Sequence, residues 1–310
     1  MSPAKHSSCI KAAGTTLLFM FMFVLLALGA APVTKASGGP TSTEYGIVLN
    51  LSGKQRMLSQ KMAKEIMLIA LGVDTKNNLA SLAKTSGLFD KTLTGLRNGN
   101  AELSLPPTSA KRILRQLDKV DGIWAKFYPI IQAVISSKTV TKEQVTIVAK
   151  GNLPLLKQMN KTVGLYEKDA KKGGLKSAPG LAATLNLAGK QRMLTQKMSK
   201  EFLLVAYGHN LEDNKLGLLE TYSLFERTLT GLRDGDAILG LQATTQQHIL
   251  VQLGVVNELW GKFKPIVAYG AEYDTTSIPK DKVDALAELN LPLLTQMNKA
   301  VGMYAQEAIK

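Results

Sequence analysis

The stretch at positions 49–62 reads LNLSGKQRMLSQKM, and positions 185–198 repeat it as LNLAGKQRMLTQKM. The two copies differ only where Ser52 becomes Ala188 and Ser59 becomes Thr195. A polar run that is repeated this closely is hard to explain by core packing alone. We therefore take it as the candidate site of function and ask how the rest of the chain presents it.

The whole chain is built on an internal repeat. Equivalent residues lie 136 positions apart through most of the sequence, as Trp124 and Trp260 do, and 138 apart near its end, as Tyr166 and Tyr304 do. Self-similarity over such a distance is the mark of a duplicated structural unit. The two-residue change falls at about 132–150, which indicates a loop. We predict two domains, 43–170 and 181–310, joined by a Gly- and Pro-containing linker at 171–180.

The pattern of apolar residues predicts helices throughout. In each repeat these residues recur at spacings of three and four, the period of an amphipathic helix. They predict four helices in the first repeat, which begin near Thr43, Thr75, Thr108 or Ser109, and Thr141. Pro154 predicts a break or bend in the fourth helix. Because the loops are short, we predict an all-α fold with two tandem antiparallel four-helix bundles.

Residues 1–36 differ in composition from the rest. Lys5 and Lys11 precede an apolar run at about 15–31, and small residues follow, which is typical of a secretory signal peptide. The sequence therefore predicts export to the periplasm, or a membrane anchor if the segment is not cleaved. The single cysteine, Cys9, lies in this segment, so the exported chain is expected to lack disulfides.

Composition and motifs argue against several functions. The formal net charge is +14, which suits anionic partners, but the lysines are scattered along helices without interleaved aromatic residues. We therefore expect no nucleic-acid binding. The sequence contains no metal-spaced histidine cluster, nucleophile–base pair or phosphate loop, so we predict neither an enzyme nor a metal or cofactor site.

Helical geometry places Arg56 among small side chains, because positions three and four apart share a helix face. Its neighbours on that face are Ser52, Ser59 and Ala63, and small residues again flank Arg192 in the second repeat. Such a gap leaves room for another helix, for a planar anion, or for both. A guanidinium presents a fork of donors that suits oxyanions.

The residues alone leave two interpretations of Arg56 open. It either binds an anion or forms a salt bridge across the bundle, for which Glu65 and Asp90 are the candidate partners. Gln55 lies on the apolar stripe, where its amide is either buried and hydrogen-bonded or faces a polar cavity. Asn50 adds an amide one turn towards the N-terminus. The second repeat carries the same residue types at the equivalent positions, Asn186, Gln191 and Arg192.

The stretch from Asn50 to Lys61 resembles the start of a known periplasmic sensor domain. This domain is shared by PilJ-type transducers of type IV pilus chemotaxis and by NarX-type nitrate/nitrite sensor kinases. The resemblance continues through Leu93–Leu96 and Asn152–Leu156 to Tyr166. It covers nearly the whole of each repeat, and it does so twice.

The resemblance implies a four-helix bundle and a place for the ligand. In the nitrate sensors, the arginine of this motif binds the anion where the first helices of two subunits meet. The resemblance implies a small anion similar to nitrate or nitrite. Lys54 and Gln55 follow the glycine in place of the sensors' small and apolar pair, and this departure limits the expectation to an anion and does not specify nitrate. The motif arginine corresponds to Arg56 and Arg192, and the downstream basic residue to Lys61 and Lys197.

Two hypotheses of function follow. In the first, the chain is a periplasmic protein that binds or senses a small anion, has no output domain of its own and acts on a membrane transducer or sensor kinase. Arg56 and Arg192 then meet within one chain, as an intramolecular pseudo-dimer, or within a homo-oligomer. In the second, the chain is a structural or adaptor protein whose helix faces dock onto a transducer or pilus component.

Overall fold

Eight α-helices and one short 3-10 helix make up most of the described chain, which in the computed structural model covers residues 40–173 and 181–307. The described residues contain no β-strand, so the all-α prediction is confirmed. The predicted signal segment 1–36 and most of the predicted linker lie outside the described residues. The helices are α1 Ser42–Ala70, α2 Thr75–Asn98, α3 Lys111–Ser137, α4 Lys142–Lys172, α5 Leu181–Ala206, α6 Leu211–Asp234, α7 Gln247–Ala271 and α8 Lys280–Glu307.

Each set of four helices forms a closed bundle. In the first set α1 packs on α2, α2 on α3, α3 on α4, and α4 returns to α1; helices α5 to α8 pack in the same cyclic order. The fold is therefore two antiparallel four-helix bundles, as the repeat predicts. The exact domain boundaries, 43–170 and 181–310, stay a prediction. Among the described helices, none is both long and apolar enough to cross a membrane.

The observed helix starts agree with the sequence prediction for α4 and differ from it for α3. Thr141 caps α4 through a capping box with Gln144, as the sequence predicts for this start. Thr108 does not cap α3, which begins at Lys111. Its hydroxyl instead donates to the Leu96 carbonyl at 2.6 Å and lies 2.7 Å from the Tyr166 hydroxyl. Those tertiary partners explain why α3 begins three residues after Thr108, later than the sequence predicts.

The fourth helix is not broken where the sequence predicts a break or bend. Helix α4 stays helical through Pro154, although proline removes one hydrogen bond from the helix interior. Just before it, Asn152 is fully buried and donates to the Ser59 carbonyl of α1 at 2.7 Å. Tertiary contacts of this kind hold the segment helical where local propensity alone predicts a break or bend.

The cores of the two bundles repeat one aromatic arrangement. Phe89 packs on Trp124 with ring centroids 4.4 Å apart, and Phe225 packs on Trp260 at 4.6 Å. All four rings are buried. The tryptophans are therefore core residues, as their place on the apolar stripes predicts.

Gly270 in α7 marks a tight contact in the second core. A Cβ at this position would lie 2.5 Å from Cδ2 of the fully buried Phe202. We expect Gly270→Ala to lower the free energy of unfolding by roughly 1–3 kcal/mol through overpacking. Gly254→Ala in the same helix meets no atom within 4 Å and is the matched control. Urea unfolding of the two variants should show opposite signs, because alanine is otherwise the better helix former.

Helix α1 is buried on nearly every side. Polar residues of the repeated stretch, among them Ser52, Gln55, Ser59 and Gln60, are as buried as its apolar ones. Helices α2 and α4 cover one part of α1, and α5 and α8 of the second bundle contact the rest. A helix buried all round lacks the usual polar face. The contact between the two copies of the repeated stretch therefore joins the bundles.

Candidate functional site

Arg56 and Arg192 meet where α1 packs on α5. A Cβ placed on Gly53 would lie 3.4 Å from Arg56 Nη2 and 3.7 Å from Arg192 Nη2. A Cβ on Gly189 would lie 3.5 Å from both nitrogens. Two guanidinium groups from different bundles thus share one small space, which we call the arginine pair. Both glycines border this space, and a Cβ at either position would contact the guanidinium groups directly.

Each arginine of the pair reaches into the opposite bundle. Arg56 Nη2 donates to the backbone carbonyl of Asn186 at 3.2 Å, and Arg192 Nη2 donates to that of Asn50 at 3.4 Å. The exchange is nearly symmetric, as expected for two copies of one helix that face each other. These bonds are long, so the guanidinium groups are held in place without strong partners.

Two other asparagines accept hydrogen bonds from the Nη1 atoms of the arginine pair. Arg56 Nη1 donates to Asn160 Oδ1 at 3.4 Å, and Arg192 Nη1 donates to Asn298 Oδ1 at 3.1 Å. Sequence reasoning did not assign a role to these asparagines. Their recurrence at equivalent repeat positions, each directly after a methionine, was the signal that could have found them.

The salt-bridge interpretation of Arg56 is wrong for both partners that the sequence suggested. Glu65 pairs with Lys61, and Asp90 accepts from Trp124 Nε1 at 2.9 Å. Within the described residues, neither Arg56 nor its repeat equivalent forms an ion pair with a carboxylate. The arginine pair is therefore a concentration of buried positive charge without a directly bonded anion.

Burial and mutual repulsion both act on this charge. Arg56 is 4% exposed and Arg192 3% exposed. Burial lowers the pKa of Arg56 to about 10, with a smaller opposing influence from Glu167. Burial, and after it the neighbouring Arg56, lowers the pKa of Arg192 to about 9. Charged groups that converge in a desolvated place are costly unless something neutralises them.

Two lysines add to the positive potential. Burial lowers the pKa of Lys54, and Arg192 lowers it further. Burial likewise lowers the pKa of Lys190, followed by the effects of Arg56 and Lys197. The four cations come from equivalent positions of the two repeats. An anion bound between α1 and α5 would therefore be attracted from both sides.

One carboxylate breaks the symmetry of the site. Glu167 of α4 accepts from Asn186 Nδ2 at 2.9 Å and pairs with Lys171 at 3.0 Å. The equivalent residue of the second repeat is Ala305, which has no charge to offer. Asn186 is thereby oriented by a partner that Asn50 lacks. The two halves of the site are related but not equivalent.

The structure leaves polar atoms unpaired near the arginines. Asn50 Oδ1, Asn186 Oδ1 and Arg192 Nε are buried and have no hydrogen-bond partner among the described residues. Buried polar atoms in folded proteins nearly always have a hydrogen-bond partner, so unpaired atoms at one place indicate a site for a ligand or water. A bound ligand or ordered water at this place would supply the missing partners.

Gln55 and Gln191 act within their own bundles. Gln55 Nε2 donates to the Phe89 carbonyl at 2.8 Å, and Gln191 Nε2 donates to the Phe225 carbonyl at 2.9 Å. Both side chains are fully buried. Of the two interpretations of Gln55, the structure supports the buried, hydrogen-bonded amide. These amides tie the first helix of each bundle to the second.

Lys61 and Lys197, the other predicted ligand residues, contact side chains within their own bundles. Lys61 Nζ pairs with Glu65 and donates to Thr85 Oγ1 at 2.9 Å. Lys197 Nζ pairs with Glu201 at 2.5 Å and donates to Thr221 Oγ1 at 2.6 Å. The structure thus engages these lysines with α2 and α6. A ligand role for them stays a prediction.

The fold defines a class, all-α proteins built from four-helix bundles, and the comparisons with known proteins specify the family. The model of the family "Type IV pili methyl-accepting chemotaxis transducer N-term", PilJ, matches residues 43–148 and again 175–286. The chain therefore belongs to this family and contains two copies of its domain.

Two curated proteins of Pseudomonas aeruginosa are similar to the chain. Methyl-accepting chemotaxis protein McpN is 30% identical over 117 residues, which is 38% of this chain and 21% of that protein. Protein PilJ is 24% identical over 216 residues, which is 67% of this chain and 30% of that protein. The chain spans less than a third of the length of either relative, so the likeness concerns one part of each.

Proposed function

We propose that this chain is a periplasmic ligand-binding or sensing protein that binds one small oxyanion between α1 and α5. Arg56 and Arg192 would be its main ligands. The observation that supports the proposal best is their convergence: two guanidinium groups, each nearly inaccessible to solvent, lie together without an ion-paired carboxylate. An anion between them would offset the repulsion that the folded chain otherwise bears.

The chemistry of the site favours a small planar anion such as nitrate or nitrite. A guanidinium donates two parallel hydrogen bonds to two oxygens of such a group. Arg192 Nε, which is buried and unpaired among the described residues, is one such donor. In a site of low dielectric constant, these bonds are stronger than in water. The glycine at 53 and its equivalent at 189 let both guanidinium groups lie close to the backbones of α1 and α5, where one small ligand could contact both.

The tandem repeat supports a single shared site for each chain. Each half supplies one arginine and one asparagine carbonyl to the other half. We propose that the covalent link between the bundles replaces association of two subunits. Signal output would then pass by contact to a membrane transducer or sensor kinase, for which the family of chemotaxis transducers is the support. We propose no enzymatic activity.

Ligand-dependent stabilisation tests the proposal. Sodium nitrate and sodium nitrite, compared with chloride and sulfate at equal ionic strength, should raise the melting temperature. Saturation at one hundred times Kd corresponds to roughly 2.7 kcal/mol of stabilisation. Arg56→Ala and Arg192→Ala should each abolish the response, and calorimetry should find one site per chain.

Arg233→Ala is the control for removal of a positive charge, since Arg233 is exposed and pairs with Asp234. It should leave the response unchanged. A response that survives in either arginine-pair variant, or two independent sites per chain, would contradict the shared site.

A second function, docking onto a protein partner, has a specific observation in its favour. Leu216 and Leu219 of α6 are 58% and 43% exposed, whereas the first repeat has Ala80 and Ala83 at these positions. Exposed leucines confined to one copy suit a structural or adaptor role for that face. Absence of any oxyanion response in the experiment above would favour this function over sensing.

A further inference from the structure

A cavity lies away from the arginine pair, between the first bundle and α8. Its volume is about 560 Å3, and it opens beside the turn that joins α1 to α2. Small-molecule pockets typically have volumes of about 300–1,000 Å3. We call this cavity the inter-bundle cleft. The charged or polar residues that matter here are Lys64, Ser81, Lys280, Asp284 and Glu288.

Lys64 provides a buried positive charge on one wall of the cleft. Its side chain is 7% exposed, and its Nζ donates to Asn290 Oδ1 of α8 at 3.0 Å. An ammonium group has three donors, and this is its one hydrogen bond among the described residues. Two N–H groups therefore remain for a ligand. Buried donors of this kind favour an anionic group, because charge-assisted bonds are the strong ones.

Glu288 provides a negative charge on the wall formed by α8. It is exposed and forms no ion pair within the described residues. Asp284, one turn earlier, is already paired with Lys280 at 2.5 Å. On the α8 wall, Glu288 is thus the carboxylate that is available to a cation; Asp74, on the opposite wall, accepts from Asn77 Nδ2 at 2.9 Å. The cleft therefore offers opposite unpaired charges from two different elements.

The equivalent face of the other repeat lacks this charge pattern. At the positions of Asp284 and Glu288 in α8, helix α4 carries Thr146 and Lys150. Lys64, by contrast, has a buried lysine as its equivalent, Lys200. The carboxylates were therefore not required by the fold of the bundle. They distinguish one of two otherwise matching surfaces, which provides an internal control.

We propose that the inter-bundle cleft binds a small zwitterion, with the ligand carboxylate on Lys64 and the ligand ammonium on Glu288. Amino acids and short peptides are the chemical class with both groups. The volume favours a molecule of dipeptide size over glycine. Apolar residues that also line the cleft, Leu68, Val73 and Leu291, would contact the carbon skeleton of the ligand. This proposal uses none of the residues of the oxyanion site, so it can be tested separately.

Isothermal titration of the full chain with a series of zwitterions tests the proposal. The probes are glycine, 4-aminobutyrate, 6-aminohexanoate, diglycine and triglycine, with acetate and ethylamine as single-charge controls. At least one of the longer zwitterions should bind, and more tightly than either control. Glu288→Gln should weaken that binding by about tenfold or more, the loss expected for one charge-assisted bond.

The repeat supplies the matched controls. Lys150→Gln, at the position equivalent to Glu288, should leave zwitterion binding unchanged, and Lys64→Met should abolish it while Lys200→Met does not. Because Glu288 is exposed, Glu288→Gln tests the site even if a buried lysine variant unfolds. The proposal would be overturned if no zwitterion bound, if acetate bound as tightly as the zwitterions, or if Glu288→Gln had no effect.

Discussion

The double substitution Arg56→Met/Arg192→Met is expected to make the chain more stable in anion-free buffer and to remove all response to oxyanions. The gain in free energy of unfolding should be roughly 1–3 kcal/mol, as found when buried charges give way to apolar side chains of similar size. Urea unfolding with and without nitrate measures both effects. Most substitutions of buried residues destabilise, so the sign of this effect is diagnostic.

The reason for the gain is the cost of holding the arginine pair together. The lowered pKa values, about 10 for Arg56 and about 9 for Arg192, mean that the folded chain disfavours both charged forms. The hydrogen bonds that the arginines donate to Asn160 and Asn298 offset part of this unfavourable free energy. The methionine variant lacks these hydrogen bonds. Methionine is flexible enough to fill the space that each arginine leaves.

Arg56→Lys/Arg192→Lys is the control that keeps the charge. It should show no gain in stability, and its oxyanion binding should be weaker than wild type because lysine lacks the planar fork. If the methionine variant were less stable than wild type and still responded to nitrate, the electrostatic account of the site would be wrong.

Stability should also rise as the pH is raised from about 8 to about 10. Burial lowers the pKa of Lys64 and of Lys200 from 10.5 to about 8, and Glu65 and Glu201 oppose this only in part. The unfolded chain therefore binds more protons than the folded chain in this range, which makes the folded state relatively more stable at each step upward. The gain should be about 2 kcal/mol for each lysine.

Tyrosine ionisation limits the rise in stability at the upper end of this pH range. Burial raises the pKa of Tyr166 to about 12, so above pH 10 the unfolded chain loses a tyrosine proton that the folded chain keeps, which opposes a further rise in stability. Denaturant titrations at pH 7, 8, 9 and 10 check the rise. Lys64→Met and Lys200→Met should each remove about 2 kcal/mol of the rise, and the lowered pKa of Arg192, about 9, contributes to the remainder. Lys76→Met at an exposed position should leave the rise intact. A flat profile in the wild-type chain would contradict the assignment.

Helix content and the duplicated bundle could be predicted because both depend on local pattern. Apolar spacing of three and four identifies a helix from its own residues, and the near-identity of two stretches identifies a duplication without any tertiary information. Errors arose where a side chain had a choice of partners. Thr108 looks like a helix cap in isolation, but the Leu96 carbonyl and the Tyr166 hydroxyl engage it.

In the candidate site, too, some features could be predicted from local sequence pattern and others depended on tertiary contacts. Periodicity placed Arg56 among small residues, and the choice of Arg56 and Arg192 as ligands came from the resemblance to sensor domains. Lys61 lies four residues before Glu65 on α1, so helical spacing alone could have predicted their ion pair in place of a bridge from Arg56 to Glu65. Glu167 was missed because its effect on the site comes from α4, about a hundred residues along the chain.

By itself, the sequence of this protein determined the eight helices, their grouping into two bundles and the residue types available at the repeated stretch. Only the tertiary structure decided that α1 packs on α5, which brings Arg56 and Arg192 into one place and leaves the inter-bundle cleft beside Lys64 and Glu288. The physical reason is that helical periodicity sets which side chains share a face of one helix. Which face of one bundle meets the other depends on packing between residues far apart in sequence.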